Sequence, residues 1–296
     1  MSNSPQSGPG LKLACEITGD RVLAGRASDR GGSVECSAYE LRANSVVPDL
    51  TEANIRNRTL VFQTVRDALD GVAGRSKDVI AVLPDSSVRV VLLDFDALPA
   101  NRHEAEAVVR FRLKKSLPFD VEKAKVSYHA HTANGGVRAV AAVALNSIVE
   151  EYESIFREAG YTPGIVLPST LAALGAANAD RPTLVVKVDE RTTSIAILDQ
   201  NQVLLFRTLE NPQGSAITGE RLAEDVYPSI VFFQDTYKLN IEQIYVAGLK
   251  STADAAPALK AQTGADVREL TGGVTIEDHN GSVPKWRMSG IVGALA

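Results

Sequence analysis

The sequence predicts an α/β fold assembled from two similar halves, with a small α+β block set into the first. Both halves run through one order: three meandering strands, helix, strand, helix, strand. The stretch from Val88 to Leu145, a strand, a helix and two strands, has no counterpart in the second half. The chain has 296 residues, 45% of them hydrophobic and 23% charged, which suits one large or two packed globular domains with a sizeable core.

Met1 to Gly10 is polar and rich in Ser, Pro and Gly, the composition of a disordered tail. Leu11–Ile17 alternates as a strand, Thr18-Gly19-Asp20 signals a hairpin turn, and Val22–Ala27 returns. Val34–Leu41 follows the Gly31-Gly32 turn as a third strand. A helix is expected over Glu52–Val72, because Val61, Val65, Ala68, Leu69 and Val72 share one face. Val79–Leu83 is a short apolar run, the pattern of a buried strand.

The extra block begins with a strand at Val88–Phe95. Its helix is expected over Arg102–Leu117, with Ala105, Val108, Val109 and Leu113 turned inward and Pro118 as the stop. Strands at Lys125–His131 and Val137–Leu145 meet at Gly135-Gly136. A helix lined by Ile148, Tyr152, Ile155 and Ala159 follows, then a strand at Ile165–Leu167 and a small helix after Pro168. The second half restarts near Ala179–Pro182 with strands at Leu184–Val188, Thr193–Leu198 and Gln202–Leu209. A helical region over Ile217–Leu239, interrupted at Pro228, leads to a buried strand at Ile244–Ala247. The expected division is a tail over 1–10, a first lobe over 11–178 with the insertion at about 88–145, and a second lobe over 179–296.

The net charge of -5 speaks against nucleic acid as a partner, since phosphate binding needs clustered Lys and Arg. Cys15 and Cys36 read as small buried hydrophobes, and no zinc-ligand spacing is present. No apolar run reaches the ~18 residues that span a bilayer, so membrane association is expected through a partner. His103, His129, His131 and His279 read as exposed or edge residues. Asp94 and Asp96 would repel on one strand face, and a solvated face is the simpler reading. Arg110, Arg112, Lys114 and Lys115 read likewise as a solvated helix face.

Duplicated units of this order resemble the actin-like (RNase H-like) fold, in which two lobes face each other across a nucleotide cleft. The stretch Glu104–His131, with its charged helix, Pro118-Phe119 and the strand carrying Tyr128, is similar to the small inserted domain of the PilM proteins of type IV pilus assembly and of their relative FtsA. Ser229–Ser251 and the small-residue end Ser289–Ala296 are similar to PilM segments as well.

The resemblance implies a nucleotide cleft built from two hairpins and a Gly-rich turn. Backbone N–H groups there cradle phosphates, and an acidic residue on each first strand organises hydrated magnesium. The first hairpin's family pattern, like Asp-Ile-Gly, falls on Glu16-Ile17-Thr18, with Gly19 as partial compensation. The second falls on Lys187-Val188-Asp189-Glu190, a register set on Thr193-Ser194-Ile195, with Thr192 beside it. A lysine stands where a carboxylate is needed, and two acids stand in the turn. A shifted register would instead make Asp189 the magnesium organiser. The family's Gly-Gly turn is Gly248-Leu249, and only about 19 residues separate Leu209 from Ser229, where family members carry a longer segment. Glu16, Thr18, Gly19, Asp189, Thr192, Thr193 and Gly248 thus form a degenerate cleft, and ordinary turn residues are the simpler reading of them. No cofactor is expected, although weak ATP-magnesium binding is compatible with this reading.

The resemblance implies a cytoplasmic scaffold, peripheral to the inner membrane, that binds the cytoplasmic tail of a PilN-like bitopic protein. The peptide is expected in a groove between the inserted domain and the first lobe, with Lys114 and Lys115 at its rim. The alternatives are an active actin-like ATPase or sugar-kinase-fold enzyme, which Lys187 and Asp189 oppose, and a type II secretion platform module.

Overall fold

The computed structural model describes residues 11–29, 31–133, 135–211 and 217–296. The expected tail over 1–10 lies outside them. The first half opens with β1 (Leu13–Ile17), β2 (Arg21–Ala27) and β3 (Ser33–Glu40), followed by α1 (Arg58–Asp70) and β4 (Asp78–Leu83). The inserted block contributes β5 (Arg89–Phe95), α2 (Arg102–Leu113), β6 (Ala124–Ala133) and β7 (Gly136–Leu145). Next come α3 (Asn146–Glu158), β8 (Thr162–Pro168) and α4 (Ser169–Ala173). The second half comprises β9 (Thr183–Val188), β10 (Thr192–Asp199), β11 (Gln202–Glu210), α5 (Gly219–Tyr237), β12 (Gln243–Ala247), α6 (Ala256–Thr263) and β13 (Asp266–Glu269). The chain ends through β14 (Thr275–Asp278) and α7 (Ser289–Ala294).

Three sheets result, in the orders β14-β3-β2-β1-β4-β8, β11-β10-β9-β12-β13 and β5-β7-β6. In each large sheet the first strand of the meander, β1 or β9, lies between its antiparallel hairpin partner and a parallel strand, β4 or β12. β1, β4 and β9 are almost wholly buried. That follows from their position at sheet centres covered on both faces, where near-continuous apolar runs belong.

Two separate cores lie under the first sheet. α1 and α3 cover one face with Val61, Val65, Leu69, Tyr152, Ile155 and Phe156. Met288, Ile291 and Val292 of the C-terminal segment cover the other. α5 and α6 cover the second sheet through Leu222, Val226, Ile230, Phe233 and Leu259. The inserted sheet closes its own core with Val109 and Leu113 of α2 against Leu93, Ala141 and Val143.

Several elements differ from the sequence reading. α1 starts at Arg58 rather than Glu52, because Asn57 accepts from the Leu60 N–H as its N-cap. The preceding residues form a turn held by Asp49, which accepts from the Thr51 and Glu52 N–H groups. α2 stops at Leu113 instead of Leu117. α5 runs through Pro228 without interruption, one hydrogen bond short at that point, and ends at Lys238 in the left-handed region (φ 57°). The largest difference concerns the chain's end. Residues 275–296 do not stay with the second lobe: β14 pairs in parallel with β3, and α7 packs on α4 and β1. The signal was hidden because a four-residue strand, Thr-Ile-Glu-Asp, lacks any alternation long enough to read.

Candidate functional site

The two hairpins are equivalent by register. Ile17 pairs with Val22 in the first, and Val188 pairs with Thr193 in the second, so each tip has the same span. One residue back, Glu16 and Lys187 hold matching positions on the central strands. The pairing therefore places Lys187, and not Asp189, opposite Glu16 in the duplication. The tips face each other closely: a Cβ on Gly19 would stand 2.7 Å from the Glu190 Oε2. The gap between them, lined by Glu16, Thr18, Gly19, Asp85, Asp189 and Thr192, measures only about 30 Å³.

Behind the tips lies a buried polar seam. Glu16, Asp85 and Lys187 are all buried, with Lys187 at 2% exposure. The Lys187 Nζ donates to both oxygens of Asp189 at 2.5 Å. Asp85, just past the end of β4, accepts from the Thr170 N–H at 2.9 Å, from the Thr170 hydroxyl, and from the Ser194 hydroxyl on β10 at 3.1 Å. That last bond crosses from one lobe to the other. Glu16 accepts from the Ser169 hydroxyl through Oε1, while its Oε2 is buried without a partner.

Burial lifts the Glu16 carboxyl from 4.5 to about 7; the Lys187 ammonium pulls it back, and the Asp189 and Asp85 charges add to the rise. Asp85 is raised by the same desolvation. Burial works against the Lys187 ammonium, yet the charges of Asp189, Glu16 and Asp85 outweigh it and leave its pKa raised.

The remaining predicted residues divide. Thr18 closes its own turn: its hydroxyl donates to Asp20 and its N–H to the Arg21 carbonyl. Thr192 lines the gap, but Thr193 turns away and donates to Asn211, whose amide in turn donates to the Asp189 carbonyl. Gly248 lines an adjoining cavity of about 450 Å³ with Gly219 and Trp286, which shares Asp189, Glu190 and Arg287 with the gap. Its φ is +85°, a Cβ there would meet the Val188 carbonyl oxygen at 1.7 Å, and its N–H is taken by the Trp286 carbonyl. The sequence reading missed Asp85, Ser169, Thr170, Ser194 as a cross-lobe donor, and Asn211. For Asp85 a signal existed: an acidic residue directly after Pro84, closing a buried apolar strand.

Asp94 and Asp96 lie on an exposed face, as expected, and Arg138, opposite Asp94 on β7, clamps it with bonds of 2.6 and 2.9 Å. One other reading changes. Arg110 turns inward to cap the Val121 and Ala124 carbonyls, and so leaves the expected solvated face.

A second concavity separates the inserted sheet from the first lobe. β6 and β8 are both sheet edges, and a cavity of about 640 Å³ lies between them. Val126, Ser127, Ala142, Val149, Val166 and Leu167 line it. A neighbouring cavity of about 580 Å³ shares Ser127, Ala142, Val166 and Leu167 and carries the groove on toward the second lobe. Charges mark the rim: Arg110, Glu122 and a Lys125–Glu153 ion pair at 2.9 Å. Lys114 and Lys115 do not line it, and Lys114 is engaged with Glu122 at 3.1 Å. Among the described residues no helix is long and apolar enough to cross a membrane.

No protein-family model matches the chain, and no curated protein matches its sequence. Solved structures do match in shape. A PilM–PilN type IV pilus biogenesis complex aligns at 17% identity and a TM-score of 0.76, over 97% of each chain. The cytoplasmic domain of EpsL, an inner membrane component of the type II secretion system of Vibrio cholerae, aligns at 9% identity and TM-score 0.53, over 96% of this chain and 94% of that one. A Bacteroides thetaiotaomicron protein of actin-like ATPase fold and unknown function aligns at 11% and 0.50, with the same coverage. At these identities the likeness is one of fold: the chain has the actin-like ATPase fold, with two lobes built on equivalent sheets and a three-stranded insertion beside the first.

Proposed function

We propose that this protein is a cytoplasmic scaffold of a type IV pilus inner-membrane platform, and that it binds the cytoplasmic tail of a PilN-like bitopic membrane protein without hydrolysing ATP. The groove between β6 and β8 carries the reading. Its volume lies within the ~300–1,000 Å³ of ligand sites, its floor is apolar, and two free strand edges border it. An extended peptide entering there can add a strand to β6 and bury alternate side chains against Ala142 and Val166. The likeness to a PilM–PilN complex supports the choice of partner. Against catalysis stand the Lys187 ammonium at a strand position where a magnesium organiser needs a carboxylate, and a Gly248 N–H already engaged.

A titration tests it. A labelled peptide covering the cytoplasmic tail of the PilN-like protein of the same genome should bind the intact chain. Ala142→Glu and Val166→Glu should each weaken binding at least about tenfold, 1.4 kcal/mol. Undiminished binding by both variants would place the peptide elsewhere, and no binding by the intact chain would remove the partner reading. Calorimetry with ATP and magnesium should show no micromolar binding, and assays no steady phosphate release. A type II secretion platform role is the second reading, supported by the EpsL likeness; the larger overlap with the PilM–PilN structure puts the pilus first.

A further inference from the structure

The actin-like fold implies a magnesium nucleotide between its hairpins, and the residues here do not fit one. The gap between the tips, about 30 Å³, has room for only about one or two water molecules. Magnesium requires near-octahedral oxygen ligands, yet of the two equivalent strand positions one bears a carboxylate and the other an ammonium. Among the described residues no three acidic, His or Cys side chains are grouped to hold a metal ion.

We propose that the Lys187 ammonium is the resident cation of the cleft, and that it holds the two lobes closed on Glu16, Asp85 and Asp189 without metal or nucleotide. The seam supplies what a buried cation demands. Lys187 is 2% exposed, and a lysine so buried persists only when paired. Asp189 meets it directly at 2.5 Å on each oxygen. Its other countercharges, Glu16 and Asp85, belong to the first lobe, whereas Lys187 and Asp189 belong to the second. Geometry sets Asp85 close by: Ser194, the cross-strand neighbour of Lys187, donates to it. The Ser194–Asp85 bond spans the same boundary, and the Glu16 Oε2, buried without a partner, lies close to Gly290. A divalent ion held between two lobes makes such a bridge from outside; here the chain carries the charge on its own strand β9. The carboxylates also keep Lys187 protonated despite its burial.

The test uses the full chain at pH 8 and compares thermal midpoints with EDTA, with magnesium chloride, and with magnesium plus ATP. The wild type should melt at one temperature in all three. Lys187→Met, which keeps the length and removes the charge, should lose roughly 6 °C or more, because it leaves buried carboxylates without their cation. The double variant Lys187→Met with Asp85→Asn should recover at least half of that loss, since it removes one of the stranded negative charges. Amide exchange in β10 and at Thr170 should quicken in the single variant. A wild-type midpoint raised by magnesium or magnesium ATP would overturn the proposal. So would Lys187→Met as stable as the wild type, or a double variant no better than the single one.

Discussion

Glu16 shows most plainly what this seam costs. Its carboxyl is raised from 4.5 to about 7 by burial, with one oxygen served by Ser169 and the other by nothing. A folded-state pKa above the unfolded value means that the native protein holds the proton longer. The resulting stability is present in full below about pH 4.5 and is lost as pH rises through 7. A rise of that size corresponds to about 3 kcal/mol. Glu16→Gln keeps an acceptor for Ser169 and removes the titration. Chemical denaturation should therefore find the variant more stable than wild type at pH 8, by up to about 3 kcal/mol, and indistinguishable at pH 4.5. A variant less stable at pH 8 would mean that the ionised carboxylate is a net stabiliser in the seam. Gly248 gives a steric counterpart. At φ +85°, with the Val188 oxygen 1.7 Å from where a Cβ would be, it tolerates no side chain. Gly248→Ala should cost roughly 3 kcal/mol or more from left-handed strain and overpacking together. The same substitution at Gly281, where φ is +70° and nothing lies within 4 Å, should cost about 1 kcal/mol.

Among the elements, the contact between α4 and α7 is close and was the least legible. A Cβ on Gly293 would meet the Ala172 carbonyl oxygen at 2.2 Å, and one on Gly175 the Gly293 carbonyl oxygen at the same distance. Backbone lies on backbone, so neither side can yield by turning a rotamer. Gly293→Ala should destabilise by about 1–3 kcal/mol in urea melts. Equal stability would show that α7 shifts freely on α4. The sequence announces small residues at this end, but not what they touch, because close approach of two short helices leaves no periodic mark. Strands are another matter. Alternation and apolar runs identified the meanders of both halves, and Asn101 and Asn57 fix where helices begin once their caps are seen. The hairpin tips were legible as turns, and Lys187 as a misfit. The bonds that hold Asp85 beside it were not, since Asp85, Thr170 and Ser194 lie 109 residues apart at the extremes and meet only after both sheets form.

At the scale of the whole molecule, the path of the chain decides how the lobes are coupled. The second half runs through its own sheet and then returns, so that β14 extends the first sheet beside β3 and α7 seals that sheet's second core. The inserted sheet reaches the second lobe as well, through Arg138, which donates to the Tyr237 hydroxyl on α5. The seam at Lys187 binds the halves too, and Ala173 of α4 packs into a core with Val185, Ala196 and Ala247 of the second sheet. Two lobes with separate cores would otherwise melt in two steps, as multi-domain chains commonly do. Here one cooperative transition is expected, with calorimetric and van't Hoff enthalpies agreeing. Trp286, the single tryptophan, lies in the returning segment and accepts from the Gly248 N–H of the second lobe, so its fluorescence reports the junction itself. Its transition should coincide with that of far-ultraviolet circular dichroism, which reports helices and strands throughout. A chain ending before Thr275 removes the edge strand and the lid of the first sheet, and exposes Ala14, Leu23, Ile80 and Val82 to water. In that truncated chain the first lobe should lose amide protection while β9, β10 and β12 keep theirs. Separate transitions in the intact protein, or a first lobe still protected after truncation, would show that the returning segment decorates the fold without coupling it.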